Sequence, residues 1–254
     1  MSGNPVDDEA VKKHYENLAD DYDEFLYWSP DFVGKLTDRI VELLELGPQD
    51  RLLDLGGGTG MYSLAILDRI GLEKPITLVD PFPRMLDKVP EDAPIETACA
   101  GALDYSERAP RFTKILIKEA VHHVERKRDL FANLYRALEP GGRIVLVHVD
   151  PTAVAYPLYE AALDNARNTF ADPDEMVALL KDAGFEAEKS QLVYHHEVPT
   201  DRYHRMVETG YMSIISNLDD RQREAGLAQM RERHAGMGKL RFPETFSYVL
   251  GVKL

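Results

Sequence analysis

An α/β fold, with a mostly parallel sheet covered by helices on both faces, is predicted by three features of the 254-residue sequence. From residue 51 onward, short apolar runs alternate with stretches of helical periodicity, the pattern of strands joined by crossover helices. The first apolar run leads straight into a glycine turn at 56–60, which opens a helix, as at the ligand crevice of an open α/β sheet. Near the end, a polar segment of helical pattern at 200–239 interrupts the last two strands and is too long for a plain connection.

The elements follow in order. Val11, Tyr15, Leu18, Ala19 and Tyr22 have helical spacing within 9–27. A second helix is predicted over 31–46, with Phe32, Leu36, Ile40, Leu43 and Leu44 on one face and Gly47-Pro48 closing it. Strands are expected at 51–55, 75–80, 95–98, 113–117 and 143–149, with helices at 61–70, 84–88 and 126–138. A loop covers 118–124, and Pro140-Gly141-Gly142 makes a turn. A helix over 172–183 precedes a sixth strand from Gly184-Phe185 to near Val198, and 246–252 is the last strand. Within 200–239, Tyr203, Met206, Val207, Tyr211 and Ile214 stand at helical offsets. This insertion either caps a site or is a surface bundle at the sheet edge.

Thirty Lys and Arg against forty-four Asp and Glu leave a formal charge of −14. That balance argues against a nucleic-acid partner, which requires a basic face. The one cysteine, Cys99, excludes an internal disulfide and a cysteine-based zinc site. The acidic start MSGNPVDDEA lacks the apolar run of a signal peptide, and no stretch reaches membrane-spanning length, so a cytoplasmic protein with no membrane partner is expected.

Chemistry concentrates in Leu52-Leu53-Asp54-Leu55-Gly56-Gly57-Gly58-Thr59-Gly60. Glycines there let a ligand approach the backbone closely. A dinucleotide fingerprint requires G-x-G-x-x-G. Counted from Gly56 its last position is Met61, and counted from Gly58 it is Ser63. The pattern that does fit is acidic-x-G-x-G-x-G, on Asp54, Gly56, Gly58 and Gly60. A carboxylate inside the turn repels a pyrophosphate and welcomes the ammonium and sulfonium of S-adenosylmethionine (SAM). Asp80, at the end of the second strand, either accepts hydrogen bonds from a ribose diol or caps the following turn.

At this point the sequence resembles the class I SAM-dependent methyltransferases, in particular their small-molecule branch. The resemblance covers roughly residues 10–195, through DLGGGTG at 54–60, VDPFPRML at 79–86, AGALDYS at 100–106, ILIKEAVHHV at 115–124 and LEPGGRIVLVHVDP at 138–151. It implies a Rossmann-like fold with a mostly parallel seven-stranded sheet and a helical insertion between the last two strands. It also implies SAM as the cofactor, with Gly56, Gly58 and Gly60 along its methionine moiety and Asp80 at its ribose. Phe82 or Met85 would pack on the adenine, flanked by Gly101, Ala102 and Leu103. Where the family often has an acidic residue, this chain has Ala102, and Asp104 is the nearest carboxylate. Tyr15 or Tyr22, in the N-terminal helix, either closes over the ligands or packs in the core. Tyr22 is assigned to the cofactor side and Tyr15 to the acceptor side.

The resemblance places the loop after the fourth strand beside the transferable methyl group. It carries Lys118, Glu119, His122 and His123. Histidine titrates nearest neutrality, so His122 and His123 are candidate bases together with Glu119; His123 is equally open to a structural role. Lys118, counted with the cofactor side, favours an anionic acceptor and Glu119 a cationic one, so the acceptor's charge stays open. In-line transfer from a sulfonium leaves a neutral thioether and needs no acid, so placement and exclusion of water dominate. His148, Arg202, Tyr203, Arg205 and Tyr211 are the candidate acceptor-binding residues. His195, His196 and Glu197 do not chelate a metal together, because adjacent strand residues point to opposite faces. A thiophilic acceptor such as arsenite is disfavoured by the single cysteine. The expected organisation is 1–50 as N-terminal helices closing over the cofactor, 51–199 as the SAM-binding core, 200–240 as a helical insertion and candidate lid, and 241–254 as the final core strand. The chain is expected to be a monomer or homodimer acting on a small-molecule acceptor by methyl transfer to oxygen, nitrogen or sulfur; the alternatives are a protein or RNA methyltransferase, or a non-catalytic SAM-binding regulatory protein.

Overall fold

The computed structural model describes residues 29–254. The helix expected over 9–27, with Tyr15 and Tyr22, lies outside the described residues.

Helix α1 (Pro30–Leu44) starts where Ser29 accepts a hydrogen bond from the Phe32 amide at 3.1 Å, with proline in its first turn. Phe32, Leu36, Ile40 and Leu44 recur every four residues, so they line one face and are fully buried. Strand β1 (Leu52–Leu55) is followed by α2 (Met61–Leu67), β2 (Ile76–Asp80), α3 (Pro83–Leu86), β3 (Ile95–Cys99), α4 (Ala102–Glu107) and β4 (Phe112–Lys118). Then come α5 (Lys127–Ala137), β5 (Leu138–Val149), α6 (Glu160–Thr169), α7 (Pro173–Asp182) and β6 (Glu186–Pro199). The insertion supplies α8 (Thr200–Glu208), α9 (Ser213–Ser216) and α10 (Asp220–Arg233), and β7 (Lys239–Val252) ends the chain.

The strands form one sheet in the order β3-β2-β1-β4-β5-β7-β6, with β7 antiparallel to both of its neighbours and the other observed pairings parallel. Side chains alternate across it, which builds two cores. One holds Phe32, Leu36, Leu116, Val145, Val147 and Phe246; the other holds Leu53, Ile115, Ile144, Leu146, Leu130 and Leu180. Burial on both faces is why every position of β1 is buried, the apolar leucines and Asp54 alike. Among the described residues, no helix is long and apolar enough to cross a membrane.

Three elements depart from the sequence pattern. Helix α6 was not expected, because it buries mainly small residues, Ala162 and Ala166 beside Leu163, and shows little apolar contrast. Helix α4 has one short apolar stripe and was missed likewise. Strand β7 begins at Lys239 rather than 246, since its early residues Arg241, Pro243 and Glu244 hide a strand that pairs with β6 from Pro199↔Lys239 to Glu186↔Val252. The boundary drawn between 240 and 241 therefore falls inside a strand.

The insertion leaves the carboxyl end of β6 and returns into the start of β7, so it stands at the sheet end where β1 gives way to the glycine turn. Helix α10 is started by a capping box between Asp219 and Gln222. Asn165 of α6 donates to the Ile214 carbonyl at 2.8 Å, and Gly226 of α10 faces the Tyr159 ring. A Cβ at Gly226 would lie 2.3 Å from that ring. Replacing a mid-helix glycine by alanine ordinarily gains ~1 kcal/mol, but overpacking a filled site costs about 1–3 kcal/mol. Gly226→Ala is therefore expected to lower the urea midpoint. A raised midpoint would show that α10 does not rest on Tyr159.

Candidate functional site

The glycine turn is shaped by what surrounds it. Gly56 has a φ of 81°, and a Cβ there would lie 2.3 Å from the Ala120 Cβ, so both backbone angle and space demand glycine. Its amide donates to the Val79 carbonyl at 2.7 Å, which ties the turn to β2. Gly58, with a φ of 57°, differs: a Cβ built on it meets nothing within 4 Å, so this side of the turn faces open space. Gly60 caps α2 and lies against Val89 and Leu78.

Two carboxylates frame this opening. Asp54, in β1, is 2% exposed and accepts from the Ser63 hydroxyl at 2.7 Å. Burial pushes its carboxyl up to about 6, against the Ser63 hydrogen bond, with the Asp80 charge adding to the rise. Asp80, at the end of β2, is likewise raised to about 6 by burial, opposed by hydrogen bonds from the Phe82 and Gly58 amides. Its Oδ1 accepts from Phe82 at 2.9 Å and its Oδ2 from Gly58 at 3.0 Å. Asp80 therefore ties the glycine turn to the segment before α3, whose N-cap Phe82 has no side-chain cap, and its carboxylate oxygens stand beside the open face of the turn.

Phe82 and Met85, in and before α3, are both buried. Gly101 caps α4, with Ala102 and Leu103 in its first turn and half-buried, while Asp104 is exposed. These residues follow β2 and β3, next to the end of Asp80's strand.

Past β4, the Lys118 ammonium sits 4.5 Å from the centre of the Tyr62 ring and 5.7 Å from that of Phe246. Desolvation lowers its pKa, opposed by the charges of Glu119, Glu244 and Asp54. Glu119 has a φ of 51°, a left-handed conformation that non-glycine residues rarely adopt and that concentrates at functional sites. Its Oε1 accepts from the Val149 amide at 2.6 Å, so the side chain bridges the ends of β4 and β5. Burial raises the Glu119 carboxyl to about 7; Lys118 and the Val149 hydrogen bond oppose the rise.

His122 and His123 form a short 3-10 turn, with ring centres 4.1 Å apart. Burial holds His122 well below the usual histidine range, its Nδ1 has no partner, and its ring approaches Phe170. It also feels the ring of His148, which lies on the opposite face of β5 from Val147 and Val149.

The structure corrects the acceptor side. His148 was expected at the rim. It is 0% exposed, because the two-residue period of β5 turns it into the core away from Lys118. Arg202 and Arg205, expected to present charge to an acceptor, are both exposed. The 3.6-residue period of α8 turns Tyr203, Met206 and Val207 inward and the two arginines outward. Tyr203 and Tyr211 are buried. His196 points in while His195 and Glu197 point out, the latter pairing with Lys239 and Arg241.

Sequence reasoning missed Glu244 and Tyr156. Glu244 is 3% exposed; it accepts from the Tyr156 hydroxyl and, at 2.8 Å, pairs with His196 Nε2. A lone Glu beside a proline carries no sequence signal, and only the pairing of β6 with β7 brings His196 to it.

Comparison with known proteins bears on this arrangement. The profile of the family described as "Methyltransferase domain" matches residues 24–190. The ubiquinone/menaquinone biosynthesis C-methyltransferase of Methylococcus capsulatus is 29% identical over 163 residues, which span 59% of this chain and 65% of that protein. Among solved structures, a phosphoethanolamine N-methyltransferase of Haemonchus contortus in complex with S-adenosylhomocysteine aligns with a TM-score of 0.57 at 17% identity, over 86% of this chain and 52% of that one. A [4+2]-cyclase, SpnF, aligns at 0.58 and 15% identity, over 87% and 80%. At such identities the two structures share the fold alone.

The raised carboxyl of Glu119 sets a sign for pH dependence. An unfolded glutamate titrates near 4.3, whereas folded Glu119 holds its proton up to about 7. The folded chain then binds more protons between these values, so its stability falls as pH rises through them. Glu119→Gln keeps the acceptor for the Val149 amide and removes the titration. The variant is expected to match the parent near pH 4 and to be the more stable of the two near pH 8, measured by urea unfolding. Equal slopes would mean that Glu119 is solvated.

Proposed function

Because this chain belongs to the methyltransferase-domain family, we propose that it transfers the methyl group of SAM to a small molecule. The observation that carries this reading is the pair of buried carboxylates, Asp54 and Asp80, at adjacent strand ends around a turn whose Gly58 opens to space. Carboxylates removed from water call for a cation or for donors. SAM offers both, an ammonium and sulfonium for one and a ribose diol for the other, whereas a pyrophosphate would face two negative charges.

When bound, SAM supplies an electrophilic methyl on a positive sulfur that departs as a neutral thioether. In this reading Gly56, Gly58 and Gly60 run along its methionine part, Asp54 faces its positive end and Asp80 accepts from its ribose. Phe82 or Met85, with Gly101, Ala102 and Leu103, flanks the adenine. The core over 51–199 thus holds the cofactor. Lys118 and Glu119 stand at the methyl edge. Glu119, poised at about 7, is the best-placed residue to take a proton from the acceptor near neutrality. His122, in the same loop, is held neutral by burial, and its Nδ1 is buried without a hydrogen-bond partner. The insertion over 200–240 serves as the lid that keeps water out, with Tyr203 and Tyr211 on its inner side.

The acceptor is a small molecule rather than a nucleic acid, in keeping with a charge of −14. The quinone-biosynthesis relative is a C-methyltransferase, so carbon joins oxygen, nitrogen and sulfur among the acceptor atoms to test. A cytoplasmic location fits the single cysteine.

Calorimetry tests the cofactor assignment. SAM and S-adenosylhomocysteine are expected to bind, and NAD is not; tight NAD binding without SAM binding would overturn the reading. A cation placed beside Asp54 and Asp80 lowers their carboxyls from about 6. Binding near pH 6 should therefore release protons, seen as a dependence of the heat on the buffer's ionisation enthalpy, and affinity should climb as pH rises through about 6. Asp80→Asn is expected to weaken SAM binding by about 1–3 kcal/mol. It should also lower the melting temperature, since the Gly58 and Phe82 amides share its carboxylate.

A further inference from the structure

The neck of the insertion is closed by a ladder of cross-links. Pro199 pairs with Lys239 where β6 meets β7, and the Thr200 amide donates to the Gly238 carbonyl at 3.2 Å. One turn further along α8, His204 Nε2 meets His234 Nδ1 at 3.0 Å. One turn beyond that, Glu208 pairs with Arg231 at 2.6 Å. Each helical turn along α8 is thus matched by about one turn back along the returning chain, so α8 faces the end of α10 as an antiparallel partner. His234 ends α10 and is 4% exposed, and His204 is half-buried. Their ring centres are 5.2 Å apart and their planes 24° from parallel. That separation is close to the bond plus two ring radii, so the two nitrogens lie in line between the rings and the hydrogen bond runs edge to edge.

Helix α10 depends on such polar links because it buries little. Of its 14 residues only Gly226 and Met230 are buried, the glycine against Tyr159. Arg233 adds a hydrogen bond to the Leu158 carbonyl at 2.9 Å. Helix α8, by contrast, buries Tyr203, Met206 and Val207, with Tyr203 against Phe242 of β7. One half of the insertion therefore rests on the β6–β7 hairpin and the other on the segment before α6, and the histidine pair joins them. A bond between two imidazole nitrogens needs a hydrogen on one and a lone pair on the other. Two neutral rings meet that condition, and so do two rings sharing one extra proton. Two imidazolium rings set N–H against N–H and repel. The charges acting on the pair are Asp201 and Glu208 from α8 and Arg231 and Arg233 from α10. The hairpin charges Glu197, Lys239 and Arg241 pair with one another at the surface. Desolvation is the largest influence, and it holds both histidines below their ordinary range, so both rings are neutral near pH 7.

We propose that His204 and His234 form an acid-opened clasp on the insertion, closed by their mutual hydrogen bond near neutrality and released when both rings are protonated. A histidine freed from the clasp titrates near 6.5. The clasped rings bind fewer protons than the freed ones, so the clasp contributes fully above about 6.5 and is lost as pH falls below that value. Release parts α10 from α8 and loosens the lid over the acceptor side. That consequence rests on the methyltransferase reading, whereas the clasp rests on the geometry of the two helices.

Amide hydrogen exchange on the full chain tests it, near pH 7.5 and near pH 5.5, with each rate corrected for the intrinsic pH dependence of exchange. Protection across 220–233 is expected to fall by about tenfold at the lower pH, because opening takes up at least one proton over the pH unit below about 6.5. Strands β1, β4 and β5 are expected to keep theirs. His204→Gln retains a hydrogen-bonding side chain that does not titrate, and it should flatten the pH dependence of α10. If that variant does not fold, His234→Gln is read in the same way. Equal protection of α10 at both pH values in the parent, or the same fall in the glutamine variant, overturns the proposal. Binding of S-adenosylhomocysteine to the parent near pH 7.5 is measured alongside. Its failure would overturn the methyltransferase reading and leave the exchange result to decide the clasp.

Discussion

The Asp80 carboxylate ties together the parts on which the site depends. One oxygen receives the Gly58 amide and the other the Phe82 amide, so a single side chain fixes the glycine turn on one flank and the start of α3 on the other. The turn is pinned a second time where Gly56 donates to Val79, one residue earlier on the same strand. With both ends held by β2, the turn can keep left-handed backbone at Gly56 and Gly58 and leave its Gly58 side open. The opening is thus a consequence of strand pairing, since β1 and β2 run parallel with Leu55 beside Val79.

That arrangement works against stability. Asp54, Asp80 and Glu119 all titrate well above ordinary carboxylates because each is taken out of water at the same end of the sheet. A chain selected for folding alone would replace them with neutral groups of similar shape. Together with the left-handed backbone of Glu119, these carboxylates mark this end of the sheet as the candidate site. A positively charged ligand would remove much of the penalty, which couples occupancy of the site to the firmness of the fold.

The antiparallel β7 carries a second group of buried polar residues. Its early residues extend the hairpin with β6 past the edge of β5, and the insertion grows from this extension at the end of the sheet that carries the glycine turn. Glu244 lies on this extension, facing the same core as Phe242 and Phe246. The core strands thus supply Lys118 and Glu119, the extended hairpin supplies Glu244 and His196, and the insertion supplies Tyr203 and Tyr211.

The order of strands and helices from 51 to 149, the glycine turn, and Asp54 and Asp80 at strand ends were all legible in the sequence. Each depends on local periodicity or on residue types at fixed spacing, which survive without knowledge of distant partners. The inward turn of Tyr203 was legible for the same reason. What only the tertiary structure decided were matters of facing and pairing. His148 looked like a rim residue until its strand's register placed it in the opposite core, and only packing decided that the arginines of α8 stand on its outer side. Helix α6 hid behind small residues whose burial needs a neighbour such as α9, and the early part of β7 hid behind charged residues that pair with β6. Glu244, Tyr156 and His196 stand 88 and 48 residues apart from one another's partner in the chain. No sequence spacing encodes such a meeting, because it comes from the closing of a sheet edge and the folding back of an insertion.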